Sequence, residues 1–251
     1  MIVTGASGEL GGELALAYAQ TGARLSLWGR DTSRLECVAA ACLAAGASAA
    51  EIRALDLLDV DGAIAAAAQD DDGEPFDVAV LAAGLGDIRD EGSLVESASM
   101  VARLGIVNFV SPAAIAAELA KRMALRGRGT IILIGSAASF HALPFAAAYA
   151  SSKAGLARFS EALRINVAPH GVSVTLASPG FIDTATARRV PGPKPLAISA
   201  ASAASRIVRA AEAGKAHLVT PWPFALLRVI DCALPRPLRE RLLRSLTPPG
   251  R

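Results

Sequence analysis

Short aliphatic runs alternate with longer alanine-rich stretches over most of this chain, and that alternation limits the folds open to it more than any other feature. "MIVT" precedes "ELALAYAQTG", "RLSLW" precedes "SRLECVAAACLAAG", and "EIRAL" opens a third round. Short β-branched or aliphatic runs read as strands, and apolar residues spaced three and four apart read as helices. Further strands are predicted at "FDVAVLA", "GTIILIG", "GVSVTLA" and "AHLVT", with helices near 97–126, 144–169 and 199–213 between them. Ile131 to Ile134 are apolar at every position, so this strand needs cover on both faces, which helices on both sides of a parallel sheet provide. The expected fold is a single-domain α/β structure, a doubly wound parallel sheet of seven strands with helices on both faces.

Bulk properties exclude several classes. A chain of 251 residues with 53% hydrophobic content can fill one large core. Lysine plus arginine number 25 against 23 acidic residues, and a net charge of +2 is no electrostatic footprint for nucleic acid. Cys37, Cys42 and Cys232 fall in no metal-ligand spacing, and their odd number suits a reducing compartment. The N-terminus shows no basic run followed by an apolar stretch and a small-residue cleavage site, so no secretory signal is expected and the expected location is cytoplasmic. The best candidate for a membrane span, "PWPFALLRVIDCALP", is interrupted by Arg228 and Asp231, so none is expected. Residues 1–220 are expected to carry binding and catalysis, with 221–251 as a basic amphipathic extension. "RRVPGPKPLAIS" reads as a loop-like insertion.

After the first strand comes "TGASGELG". In a doubly wound sheet, a glycine-rich turn at this point lets backbone N–H groups and a helix N-terminus hold a pyrophosphate. Gly5 supplies the tight turn, and Gly11 allows close approach of helix to sheet or ligand. Such turns also occur for purely structural reasons. Asp56, after the third strand, suits an adenine amino group or a helix cap. "LAAG" at 81–84 would let a flat ring lie near backbone, or simply permit tight packing. At the end of the second strand Gly29 stands where an NAD-binding carboxylate is expected and Arg30 follows. That pairing favours the 2′-phosphate of NADP(H), with NAD(H) still possible. Asp31 competes as a carboxylate, or caps a helix beginning near Ser33.

"YASSK" sets Tyr149 and Lys153 four apart, on one face of a helix. A nearby ammonium lowers a phenol's pKa and makes it a usable proton donor near neutral pH; alone, the spacing is equally that of a solvated helix face. Ser136 follows the strand "TIILIG", at the carboxyl edge where open sheets bind ligands. Asn108 sits mid-helix, where an amide bends the helix, holds a water or is an ordinary polar residue.

Together, Asn108, Ser136, Tyr149, Lys153 and the opening turn resemble the tetrad and cofactor motif of the classical short-chain dehydrogenase/reductase family, over about residues 1–184. The resemblance implies a Rossmann-like fold and hydride transfer between a nicotinamide and a carbonyl or alcohol carbon. By resemblance, Tyr149 is the general acid in reduction, Lys153 lowers its pKa and holds the nicotinamide ribose, Ser136 polarises the carbonyl and Asn108 anchors a relay water. The cofactor-binding positions implied are Gly5, Ser7, Gly8, Glu9, Leu10, Gly11, Arg30, Asp56, Leu57, Ala82, Ala83 and Gly84. Tyr149 and Lys153 join them, as do Pro179, Gly180, Ile182 and Thr184 in "SPGFIDT". A homodimer or homotetramer is implied in the same way.

The sequence departs from the family in three places. Glu9 occupies the middle glycine of TGxxxGxG, where a carboxylate facing a pyrophosphate must turn outward or meet a cation. Ala82 replaces an asparagine that braces its turn. Only three residues precede Thr4; the edge of a sheet would tolerate so short a strand, or the natural start lies upstream. Glu9 also leaves open a catalytically weak dinucleotide sensor or scaffold.

Residues expected to shape the substrate cleft, including Ala138, Phe140, His141, Leu143, Phe145 and the segment 185–198, are mostly apolar and favour a lipophilic small molecule. His141 and His170 have no metal-spaced partners and read as structural. Beyond 221, leucines mix with Arg228, Arg236, Arg239, Arg241 and Arg244 in short amphipathic helices. Covering the cleft, pairing with a subunit and peripheral membrane contact through 222–251 are the readings open to this segment.

Overall fold

The computed structural model describes residues 1–86, 90, 92–190 and 192–245; Pro191 of the loop-like insertion and the last residues of the extension lie outside them. The first half runs β1 (Ile2–Thr4), α1 (Glu9–Ala19), β2 (Arg24–Gly29), α2 (Thr32–Ala44), β3 (Ala49–Ala54), α3 (Val60–Gly73) and β4 (Val78–Leu81). Then come α4 (Ala98–Gly105), a π-helical turn (Ile106–Val110), α5 (Ser111–Arg126), β5 (Gly129–Ile134), a 3-10 turn (Ala137–Phe140), α6 (Ala147–Val167) and β6 (Val172–Pro179). The remainder is β7 (Ile182–Asp183), α7 (Ala185–Arg189), β8 (Ile198–Ser199), α8 (Ala200–Glu212), β9 (His217–Thr220), α9 (Pro223–Ala233) and α10 (Arg236–Ser245).

Seven strands form one parallel sheet, as the alternation predicts, and their order is β3-β2-β1-β4-β5-β6-β9. The order reverses between β1 and β4, the switch point at which open α/β sheets leave a crevice beyond their carboxyl ends. β1 is short but not at an edge: Ile2, Val3 and Thr4 pair with Ser26, Leu27 and Trp28 on one side and with Ala79, Val80 and Leu81 on the other. Two-sided pairing compensates for its length.

Alternate strand residues supply two cores. Ile2, Ile131, Leu133 and Val174 pack with Ile115, Leu119, Met123 and Leu156 from α5 and α6, while Val3, Val80, Ile132 and Ile134 pack with Leu14, Leu35 and Ile207 from α1, α2 and α8. Each fully buried aliphatic side chain contributes about 1.5–3 kcal/mol. Asp71 at the end of α3 accepts from the Phe76 N–H at 2.8 Å and from both terminal nitrogens of Arg126, fastening α3 to α5.

Three expectations are adjusted. Asp31 caps α2 by accepting from the Arg34 N–H at 3.1 Å, so its carboxylate is occupied, and the cap of α3 is Asp59 rather than Asp56. The insertion is not all loop, since α7 and β8 flank it and Ile198 and Ser199 pair with Ile182 and Asp183. Finally, Ala98–Arg126 is one continuous helix of 29 residues, long and apolar enough by length and composition to cross a membrane, where none was expected. Its Leu104, Ile115, Leu119 and Met123 are buried inside the protein, which accounts for its apolar character.

Candidate functional site

The crevice at the switch point has a backbone floor. Gly5 takes a left-handed φ of 70°, and a Cβ there would lie 2.6 Å from Ala83 Cα. A Cβ on Gly11 would collide with the Gly5 carbonyl, and one on Gly29 would lie 2.8 Å from Ser7 Oγ. Gly8 donates to the Gly5 carbonyl at 2.9 Å and caps α1, so the first turn of α1 opens towards the crevice. This cradle, which added methyl groups would fill, fits a pyrophosphate at a helix N-terminus. Where an asparagine is missing at Ala82, Thr4 Oγ1 accepts from the Ala83 N–H at 3.3 Å.

The four polar side chains meet at the carboxyl ends of β4 and β5. Asn108 lies on the π-helical turn, a backbone irregularity frequent at functional sites. Fully buried, it accepts from the Leu85 N–H at 2.7 Å and donates to the Leu85 carbonyl at 2.9 Å, bracing the chain just after Gly84. A Cβ on Gly84 would lie 3.2 Å from Lys153 Nζ and 3.3 Å from Asn108 Oδ1, so that glycine is the meeting point of the two side chains. Lys153, buried on α6, donates to the Ile134 carbonyl at 2.9 Å. Ser136 begins the 3-10 turn, its oxygen accepting from the Ala138 N–H at 3.1 Å.

Burial lowers the Lys153 pKa to about 8. Burial raises that of Tyr149, and the Ser136 hydroxyl opposes the rise. The sequence predicts a phenol acidified by Lys153; here the group that opposes the rise is Ser136, while the Lys153 ammonium donates to the Ile134 carbonyl. Sequence reasoning missed Ser152, whose hydroxyl donates to the Tyr149 carbonyl at 2.8 Å and accepts from Asn108 Nδ2 at 3.3 Å. Its place inside "YASSK" was the available signal.

The remaining positions divide. Pro179 ends β6, Ile182 lies in β7, and Thr184 caps α7 by accepting from the Ala187 N–H at 3.1 Å. Gly180 donates to the Thr220 carbonyl at 2.8 Å and faces the Phe224 ring. Arg30 is exposed at the end of β2. Leu10 is half-buried against the α1-side core; Asp56 accepts from the Leu58 N–H at 3.1 Å within its own turn, and the Leu57 carbonyl accepts from Ser111. Glu9 begins α1 and points outward, its carboxylate accepting from the Ala185 N–H at 2.5 Å, across the crevice from the glycine-rich turn. Phe140, expected at the cleft, lies under Arg228 of α9 with its edge to His217, and His141 faces Asp231 at 3.5 Å.

A doubly wound parallel sheet with a glycine-rich turn at its switch point is the architecture of a dinucleotide-binding protein. The family described as short chain dehydrogenase matches residues 1–193. An uncharacterized oxidoreductase of Myxococcus xanthus is 30% identical over 98% of this chain and 96% of its own length. In fold the chain is similar to a short-chain dehydrogenase from Sphingobium yanoikuyae in complex with NADPH, with a TM-score of 0.82 at 22% identity, covering 100% of this chain and 96% of that one. A metagenomic short-chain oxidoreductase in complex with NADP gives 0.73 at 28% identity, covering 87% of this chain and 93% of that one. The chain belongs to the short-chain dehydrogenase/reductase family, enzymes that interconvert carbonyl and alcohol groups with NAD(P).

Proposed function

We propose that this enzyme uses NADP(H) to interconvert a carbonyl and an alcohol on a lipophilic small molecule, with Asn108, Ser136, Tyr149 and Lys153 as its proton machinery. The observation that carries the reading is the convergence of Lys153 and Asn108 on Gly84, beside the Ser136 and Tyr149 hydroxyls. When bound, the cofactor supplies or accepts the hydride. The protein does the rest. Ser136 donates to the substrate oxygen, and Tyr149 gives it a proton in reduction or takes one in oxidation. Lys153 holds a positive charge beside the cradle at neutral pH, and Asn108 fixes the Leu85 backbone and a water feeding protons to Lys153.

NADP(H) preference rests on Arg30, an exposed cation with no carboxylate partner among the described residues, next to the side-chain-free Gly29. The NADPH and NADP carried by the two structural relatives are in line with it. NADPH and NADH binding are compared by fluorescence titration; Arg30→Ala is expected to weaken NADPH roughly tenfold and leave NADH nearly unchanged. Equal losses for both would remove the preference. Consumption of NADPH with a panel of lipophilic ketones and aldehydes then tests the substrate class.

Residues 1–220 are taken as the binding and catalytic part and 221–251 as its extension, in a cytoplasmic homodimer or homotetramer. The exposed Cys37 thiol supports a reducing compartment, and the exposed Val110, Leu125 and Ile165 on α5, α6 and the turn before α5 support helix pairing between subunits. A second reading, a dinucleotide sensor with weak catalysis, is favoured only by Glu9 beside the pyrophosphate cradle. A Glu9→Gly enzyme that alone binds NADPH would make that reading the better one.

A further inference from the structure

The C-terminal helices leave apolar surface uncovered. On α9, Trp222, Leu226, Val229 and Ile230 fall at the spacing of a single helix face, and all four are exposed, Trp222 at 71%. On α10, Leu243 is buried, while Leu238 and Leu242 point outward, flanked on the wheel by Arg239 and Arg241. Stability of the monomer does not call for this arrangement, because exposed leucines in a contiguous stripe give up the free energy their burial would provide.

Charge decides what covers the stripe. Between residues 222 and 245 stand Arg228, Arg236, Arg239, Arg241 and Arg244, with Asp231 and Glu240 as the acids. Asp231 is buried against His141, and Glu240 is held by Arg236 at 2.8 Å, so the outward field is positive. Arg228 also overhangs a groove of about 390 Å³ between α6 and α9, lined by Arg158, Arg164 and Glu161, whose carboxylate pairs with Arg158 at 2.6 Å. Among the described residues neither Arg164 nor Arg228 has a carboxylate partner, and the buried Ser160 hydroxyl in the groove wall makes no hydrogen bond. Apolar stripes bordered by arginines, with a tryptophan at one end and a groove carrying Arg164 and Arg228 beside them, match the interface of a bilayer carrying anionic headgroups.

We propose that α9 and α10 dock this enzyme on an anionic lipid bilayer. The docked face adjoins the catalytic cleft, because Phe224 of α9 packs on Gly180 and Phe181, and Arg228 covers Phe140 just after Ser136. An enzyme seated in this way opens its cleft beside the membrane, where a lipophilic carbonyl compound is concentrated. The docking itself does not depend on the chemistry proposed above and is read without substrate or cofactor.

The test uses the full chain with vesicles of equimolar phosphatidylcholine and phosphatidylglycerol, against vesicles of phosphatidylcholine alone. The wild type sediments with the anionic vesicles only, and its emission shifts to the blue; Trp222→Phe abolishes the shift, since Trp28 is only 1% exposed and reports nothing. Arg239→Ala with Arg241→Ala, both on α10, weakens partition about 30-fold at low salt. Leu226→Glu with Ile230→Glu eliminates it, with the melting curve and Trp28 emission unchanged as the control for folding. Failure of the wild type to sediment with anionic vesicles overturns the proposal, as does binding indifferent to lipid charge and to the arginine pair. Protection of Trp222 from acrylamide without lipid, rising with protein concentration alongside a doubling of mass by light scattering, would show instead that a second copy covers the stripe.

Discussion

The cleft has two rims made of different material. The rim at the switch point is backbone: Gly5, Gly11, Ala83 and Gly84 lie so close together that an added methyl group meets a carbonyl, a Cα or the Lys153 and Asn108 side chains. The opposite rim is side chain: Phe181 against Phe224, Arg228 over Phe140, and His141 facing Asp231. Backbone presents the same N–H groups whatever the sequence, so the first rim suits the part that all dinucleotides share. Side chains can be exchanged one at a time, so the second rim is the one a sequence can vary without disturbing the backbone. Chemistry is fixed by the junction of the two.

The largest effect tests that junction. Tyr149→Phe keeps the ring and removes the proton, so turnover is expected to fall about a thousandfold while NADPH titrates as in the wild type. A comparable loss of NADPH binding would mean that Tyr149 builds the cradle rather than the chemistry. Next comes the backbone rim itself. Gly11→Ala forces a methyl into the Gly5 carbonyl, and neither partner is a side chain that can rotate away. Unfolding in urea is expected to show a loss of about 3 kcal/mol, with cofactor binding abolished.

Lys153 carries the pH dependence. Its folded pKa of about 8 lies below the 10.5 of an exposed lysine. Below pH 8 it is charged in both states and burial costs its full amount. Between pH 8 and 10.5 the folded state has released a proton that the unfolded chain still holds, so stability rises with pH across that window, by at most about 3 kcal/mol. Tyr149, whose pKa is raised, turns the trend downward only above pH 10. Urea midpoints from pH 7 to 10 measure the rise, and Lys153→Met is expected to flatten it; a flat wild-type profile would mean that Lys153 is solvated.

Legibility in the sequence follows the same division. Strand positions, the seven-stranded parallel sheet and the glycine-rich turn were readable because each depends on neighbours within a few residues: period, β-branching and φ. So was the Asp31 cap, three residues from its donor. What escaped reading depends on distant partners. Glu9 and Ala185 are 176 residues apart, and no pattern at either position announces the other. Phe140 looks like a cleft residue from its neighbours, but Arg228 draws it to α9. A shared helix face likewise says nothing of the Ile134 carbonyl that holds the Lys153 ammonium.

The smaller effects probe the side-chain rim. Gly180→Ala also brings a methyl into close contact, but with the Phe224 ring, which can tilt. About 1 kcal/mol is expected, with KM for a carbonyl substrate altered and NADPH affinity retained; a loss as large as that of Gly11→Ala would erase the distinction between the rims. Glu9→Gly cuts the bond from the glycine-rich turn to the start of α7. Because the carboxylate is exposed, its bond to the Ala185 N–H is worth about 1 kcal/mol, so hydrogen exchange at that amide is expected to quicken about fivefold. The same change removes a negative charge from the mouth of the glycine-rich turn, so NADPH binding should tighten as α7 loosens. If exchange quickens and affinity stays constant, Glu9 is a fastening only; if affinity rises and exchange does not change, its charge acts on the cradle and the bond to Ala185 holds nothing.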